Sequence, residues 1–479
     1  MNMKIENNEA AESSGKTKNG QITESGWKAK KEQTIKSSGK AVNSRKSKVK
    51  MIAGMAVLMA ACAAFGIALG MYFNSWKTTV DSDRNVISEN DSGVPYSNNV
   101  DAESSADDSE DNVPEDKAAD KKDDAEISEE EAEEAWVQEQ LQRLTTEEKV
   151  AQLFIITPET LTGVDVAVAA GDATRNSLYQ YPVGGFVYFS GNIQSGEQVM
   201  QMLSATQQYS MERIGLPVFT CIDEEGGTVA RIGNSGLAGI PLIENMSQVT
   251  DPQRAYTIGQ TLGSYLSQYG FNLDFAPVAD VLSNPSNTVV WNRSFGPDCN
   301  QVSVMVQQVL NGLHDYGVYG AVKHFPGHGA TAGDTHEGYA YTDKTLEQMM
   351  TNEMIPFAQA IQNGVKFVMV GHISVPGITG DGIPSSLSYS VVTDILRNQL
   401  GFEGVVVTDA LNMGAISQNY SAADTAVMAI GAGCDLLLMP SDFYSAYQGV
   451  LNAVYDGRIS VERLNESVAR ILRVKKTLM

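Results

Sequence analysis

The stretch "KHFPGHGATAGDTHEGYA", residues 323–340, holds three of the chain's five histidines. Three chemistries could use it. In a metal site, His324, His328 and His336 would offer three nitrogens and Asp334 an oxygen, the donor count that a catalytic zinc needs. Against it, Pro326 and the neighbouring glycines break the helix that an HxxxH pair requires, and the spacing matches no standard zinc signature. A Ser-His-Asp hydrolase would bring a GxSxG elbow, and the chain contains none. The third chemistry is general acid/base catalysis. Asp334 lies two residues before His336, and a carboxylate beside an imidazole fixes its tautomer and raises its basicity. Asp409, in "VVVTDALNMGAI", is then the candidate carboxylate nucleophile. Asp223, Arg231, Arg293, Lys323 and His324, from "IDEEGGTVAR", "NRSFG" and "KH", are suited to grip the hydroxyls of a small polar ligand. A nucleophile, a movable proton donor and a hydroxyl-gripping floor are the parts of a retaining glycosidase, with a His–Asp pair in place of the usual second carboxylate.

These residues need a scaffold that brings them together. Eight apolar runs of strand length recur between residues 136 and 479: "QLFII", "GGFVYF", "PVFTCID", "NLDFAPV", "GAVKHF", "KFVMVGH", "GVVVTD" and "CDLLLMP". Continuous apolar strands point to a parallel sheet buried on both faces. Between them, segments such as "QVSVMVQQVLNGLHDYG" carry helical spacing. Eight such units predict an α/β fold, a (β/α)8 TIM barrel. The open doubly wound sheet would bring a GxGxxG turn after its first strand, and none follows. Asp223 ends the third run, Asp280 follows the fourth, and Lys323 and His324 end the fifth. His372 ends the sixth and Asp409 the seventh. The barrel's active site forms at that end of the strands.

Ahead of the barrel the composition changes three times. Residues 1–50 form a polar, net basic tail, expected to be disordered. Met51–Phe73 contains no charged residue and is long enough to cross a hydrocarbon core of about 30 Å as a single helix. "LMAAC", around Cys62, only faintly resembles a lipoprotein cleavage site. Residues 74–135 form an acidic linker, with runs such as "DDSEDNVPED", that is too poor in large apolar side chains to fold. The final part of that linker, from "EISEEEAEEAW" onward, turns helical and leads into the domain. The basic flank places residues 1–50 in the cytoplasm and the catalytic domain outside a cell membrane, an arrangement suited to a bacterial cell. A net charge of −24 argues against a nucleic-acid partner. The four cysteines are widely spaced without CxxC, so neither a disulfide framework nor a zinc ribbon is expected.

"LTTEEKVAQLF", "DEEGGTVAR", "NRSFG", "KHFPGHG", "DTH" and "TDALNMGAI" occur here in one order. In that order they resemble the single-domain β-N-acetylglucosaminidases (β-N-acetylhexosaminidases) of glycoside hydrolase family 3, over nearly all of residues 136–479. The resemblance implies Asp409 as nucleophile and His336, oriented by Asp334, as acid/base. It implies Asp223, Arg231, Arg293, Lys323 and His324 as binders of the terminal sugar, with no cofactor and no metal. The implied substrate is a glycan or muropeptide ending in N-acetylglucosamine, as in peptidoglycan turnover. Many β-glucosidases of the family take their acid from a second domain. This sequence ends at Met479, soon after the eighth unit, so the loop is expected to supply the acid and the β-glucosidase reading is the alternative. A catalytically silent membrane-tethered sugar-binding protein is the other alternative, and the presence of both Asp409 and His336 argues against it.

Overall fold

A computed structural model describes residues 128–479 except Glu337 and Tyr339. The basic tail, the Met51–Phe73 segment and the linker up to residue 127 lie outside the described residues. Among the described residues no helix is long and apolar enough to cross a membrane. The first helix among the described residues runs Glu129–Arg143, so helical structure begins before residue 136. Ser128 and Glu131 close its N-terminus with a reciprocal capping box, and Glu129, Glu130 and Glu131 complement its dipole. The same device recurs at once, with Thr145 and Glu148 capping Thr146–Gln152.

Each of the eight apolar runs contributes a strand. In chain order these are β1 Phe154–Ile156, β2 Gly185–Val187 and β3 Phe219–Ile222, then a two-stranded hairpin of β4 Glu224–Gly226 and β5 Val229–Ala230. They continue with β6 Leu273–Asp274, β7 Tyr319–Phe325, β8 Phe367–Val370, β9 Val405–Thr408 and β10 Leu437–Leu438. Apart from the hairpin they form one eight-stranded sheet in the order β10-β1-β2-β3-β6-β7-β8-β9. Every pairing within it is parallel. The remaining seam, β9 to β10, is joined by the parallel bridge Val407–Leu436 and by the Asp435 amide donating to the Val406 carbonyl at 2.8 Å. The result is an α/β barrel-like sheet consistent with a TIM-like barrel.

The core explains why those runs carry no polar alternation. The side chains of β1, β2, β3, β8 and β9 are buried throughout, whether they face the barrel interior or the helices. Long amphipathic helices, including Gly196–Ile214, Pro252–Tyr269 and Cys299–His314, cover the outside. His314 ends the last of these on the exposed surface. It is the one histidine remote from the strand ends where the other four gather.

Candidate active site

Asp223, Lys323, His324 and Asp409 stand at or just beyond the C-terminal ends of β3, β7 and β9. They share a cavity of about 320 Å³ with Glu225, Arg231, Arg293, His328 and His336. Seven of the eight site residues expected from the sequence therefore line one cavity. The eighth, Asp334, sits behind His336 and bonds to it.

The floor is a set of paired charges. Lys323 Nζ donates to Asp223 Oδ1 at 2.8 Å and to Glu225 Oε1 at 2.7 Å. Arg293 grips Glu225 with both arms, Nε to Oε2 at 2.8 Å and Nη2 to Oε1 at 2.7 Å. Burial alone would push the Glu225 carboxyl up, but Arg293 and Lys323 outweigh it and hold the group far below the usual carboxylate range. Burial likewise opposes the Lys323 charge, and Asp223 and Glu225 more than offset it. Arg231 Nη2 reaches Asp223 Oδ2 at 3.4 Å. Asp223 and Arg231 remain partly exposed to the cavity, so they have hydrogen-bonding capacity for a ligand. Glu225 went unrecognised as a functional position in the sequence. "DEEGG" reads as a polar turn, and the partners that bury Glu225 come from distant segments. The usable signal was alternation: in hairpin strand β4, Glu225 faces the cavity, while Glu224 faces away and accepts from Ile232 N, Gly233 N and Tyr265 Oη.

His324 is held by Asp280, which the sequence places after the fourth run without showing its partner. Asp280 Oδ2 accepts from His324 Nδ1 at 2.7 Å, while Oδ1 accepts the backbone amides of His324 at 3.2 Å and His328 at 2.6 Å. One fully buried carboxylate thus fixes both the ring and the loop after β7. That loop is compact because of its glycines. Gly327 has φ +132, and a Cβ on Gly329 would lie 2.1 Å from the Val281 carbonyl oxygen. His328 is a loop-structuring residue, with Nδ1 against Thr331 Oγ1 at 3.0 Å and Nε2 against Thr335 Oγ1 at 3.4 Å. Burial, with His324 beside it, pushes its ring below the ordinary histidine value. With these nitrogens engaged, the three loop histidines do not present a converging ligand set. Among the described residues no group of three or more His, Cys, Asp or Glu side chains could hold a metal ion.

Asp409 follows β9. Burial works against its ionisation, but the His324 and His372 rings, the Ala410 amide and Lys323 outweigh it and hold the carboxyl down at about 2. Ala410 N donates to Oδ1 at 2.8 Å. His372 is fully buried behind it, with Nε2 donating to the Ala410 carbonyl at 3.0 Å and Nδ1 accepting from Ser386 Oγ at 2.8 Å. It holds the Ala410–Leu411 peptide, immediately after Asp409. The outcome is an anionic carboxylate aimed into the cavity at any pH near neutrality, the state a nucleophile needs.

His336 is the exposed counterpart. Its side chain is 63% exposed, and its Nδ1 donates to Asp334 Oδ1 at 2.7 Å. Burial works to raise the Asp334 carboxyl, but the His336 amide and ring hold it below its ordinary value. With Nδ1 committed to the carboxylate, Nε2 is the nitrogen free to give or take a proton. The loop is docked on the segment after Asp409: Ala415 N donates to Thr335 O at 3.1 Å and Gly414 N to His336 O at 3.3 Å. The segment after Asp409 and the His336 loop are thereby tied to one another through backbone.

Residues 145–474 match the description "Glycosyl hydrolase family 3 N terminal domain". Among curated proteins the chain is 32% identical to beta-hexosaminidase A of Pseudoalteromonas piscicida, covering 63% of this chain and 54% of that one. It is 31% identical to beta-hexosaminidase LpqI of Mycobacterium tuberculosis, covering 69% and 83%. The chain thus spans about half the length of the first relative and most of the second. Among solved structures it resembles a glycoside hydrolase family 3 beta-N-acetylglucosaminidase from Paenibacillus sp. str. FPU-7. That match has a TM-score of 0.65 and 36% identity, covering 70% of this chain and 62% of the other. With the family pattern spanning most of the chain and the strand-end cavity built from the motif residues, this protein belongs to glycosyl hydrolase family 3.

Proposed function

We propose that the chain is a retaining, exo-acting β-N-acetylhexosaminidase that removes terminal non-reducing β-linked N-acetylglucosamine from cell-wall or other glycan fragments. The observation that carries this reading is the opposition of two groups on one cavity. Asp409 is buried and ionised; His336 is exposed, with Nδ1 held by Asp334. The names of the relatives support the substrate class.

In this mechanism the terminal sugar sits over Asp223, Arg231, Arg293, Lys323 and His324. An Asp409 carboxylate oxygen attacks the anomeric carbon as the bond to the leaving oxygen breaks. His336 Nε2–H protonates that oxygen, and a glycosyl-Asp409 ester remains. Neutral His336 then takes a proton from water, whose oxygen attacks the same carbon and releases Asp409. Two inversions give net retention. Glu225 and Asp280 act through Arg293, Lys323 and His324 rather than on the sugar. The scheme uses no cofactor. We also place the domain outside the cell, tethered by a single membrane helix over residues 51–73 and the acidic linker, with residues 1–50 inside.

Proton NMR of the full chain acting on an aryl N-acetyl-β-glucosaminide tests the stereochemistry. The first-formed sugar is expected to be the β-anomer. Initial α-product would mean that Asp409 activates water instead of bonding to carbon.

A further inference from the structure

The cavity of about 320 Å³ suits one sugar ring, so the rest of a glycan must leave through its mouth. The leaving oxygen faces His336, so the departing part passes beside the loop that carries it. That loop is stitched to the one after β6, residues 283–294. Asn284 N donates to Gly329 O at 3.0 Å, Asn284 Nδ2 to Thr331 O at 2.9 Å, and Asn287 Nδ2 to His328 O at 2.9 Å. Two residues of the 283–294 loop, Val289 and Arg293, line the cavity. Between them, and outside the cavity, stands Trp291.

Trp291 is 57% exposed. Its ring has no hydrogen bond and no aromatic or cationic neighbour among the described residues, and it is no member of the buried core cluster. An indole usually buries its faces and satisfies its N–H. The turn beneath it is rigid. Asn287 Oδ1 accepts from Val289 N and Val290 N, each at 3.0 Å, and Arg293 N donates to Val290 O at 2.9 Å. Ser247 N ties the turn to the neighbouring loop through Asn292 O at 3.3 Å. An apolar face exposed on this turn, two residues from each of the cavity-lining Val289 and Arg293, is preorganised for a flat, partly apolar ligand. The C–H face of a pyranose is such a surface.

Building on the proposed glycosidase activity, we propose that Trp291 is a stacking platform for the second sugar, the ring on the leaving side of the scissile bond. It makes the enzyme select glycans over small aglycones. Arg293 binds the first ring and Trp291 the second, so one turn sets both positions.

The test compares two substrates on the full chain. The β-1,4-linked N-acetylglucosamine disaccharide presents a second ring, while N-acetyl-β-glucosaminyl fluoride presents a single departing atom. In Trp291→Ala the ratio of kcat/KM for disaccharide over fluoride is expected to fall about tenfold, which is about 1.4 kcal/mol. Trp291→Phe, which keeps an aromatic face, should recover most of that ratio. An unchanged ratio in Trp291→Ala would overturn the proposal. So would equal losses on both substrates in both variants, since that pattern marks Trp291 as a prop for Arg293. If the native chain cleaves neither substrate, the glycosidase reading fails and the platform falls with it. A native chain that cleaves both, combined with an unchanged ratio, removes the platform alone.

Discussion

At the residue scale, the proposed mechanism divides the site into groups that act on the sugar and carboxylates that preset them. Asp280 is the clearest of the second kind, because one side chain serves a ring nitrogen and two amides. Asp280→Asn retains size but puts a weaker acceptor, or an N–H, opposite His324 Nδ1. We expect kcat/KM to fall about a hundredfold, consistent with a loss near 3 kcal/mol for a buried charge-assisted hydrogen bond. The fold should persist, as read by an unchanged circular dichroism spectrum; wild-type kinetics would remove the positioning role. Asp334→Ala leaves the His336 imidazole present but unoriented, so activity should fall between that of the native chain and that of Asp409→Ala. The residues legible in the sequence were those whose chemistry is unusual for their surroundings: His and Asp at the ends of apolar runs. Asp280 stood out by its place after the fourth run but not by its partner, and Glu225 was harder to read. A carboxylate that works by burial looks in one dimension like any surface acid. Its partners, Arg293 and Lys323 for Glu225, stand far away in sequence.

At the element scale, the eight strands were readable because both faces of a parallel barrel strand are buried, so the apolar runs are continuous. Less readable was how the barrel is closed and plugged at its other end. Fully buried Asp435, just before β10, accepts from Val406 N at 2.9 Å and Ser467 Oγ at 2.6 Å. Arg397, Arg463 and Arg470 converge on it. Burial opposes its charge, yet the three guanidiniums hold its carboxyl below the ordinary value. Asp435→Asn would leave three cations facing one another across the β9–β10 seam. A loss of about 3–5 kcal/mol is expected, read as a lower urea midpoint with unchanged slope. A change under about 1 kcal/mol would contradict that role.

Lys475, in the C-terminal helix Val461–Lys476, is wholly buried. Its Nζ donates to Gln152 Oε1 at 2.7 Å and lies 5.1 Å from the Phe219 ring centroid. Burial pushes its ammonium down to about 7. The unfolded chain, with an ordinary lysine value near 10.4, therefore binds the extra proton between those two pH values. Stability from this group rises with pH across that window, by about 1.4 kcal/mol per unit. Below about pH 7 the full penalty of a buried charge applies. Lys475→Met should raise the melting temperature most at pH 6 and converge toward the native chain near pH 10. An equal shift at both pH values would mean that the ammonium is not the source.

At the scale of the whole molecule, the catalytic unit is one part of a longer and electrically lopsided chain. Basic residues precede the uncharged run 51–73 and acidic residues follow it. The proposed topology predicts that protease added to intact cells releases the domain and leaves the basic tail protected. Protection of the whole domain would place it inside.

In the proposed mechanism Asp409 forms the bond to sugar and His336 moves the proton. The most direct test is mass spectrometry of the His336→Ala chain during turnover of an activated aryl N-acetyl-β-glucosaminide. An activated leaving group departs without a proton, but the second step still lacks its base. Protein carrying one N-acetylhexosaminyl unit, mapped to the peptide containing Asp409, is expected to accumulate, and azide is expected to discharge it as a β-glycosyl azide. Absence of the adduct and of azide rescue, with equal loss on activated and unactivated substrates, would contradict the account and move the proton donor away from this loop.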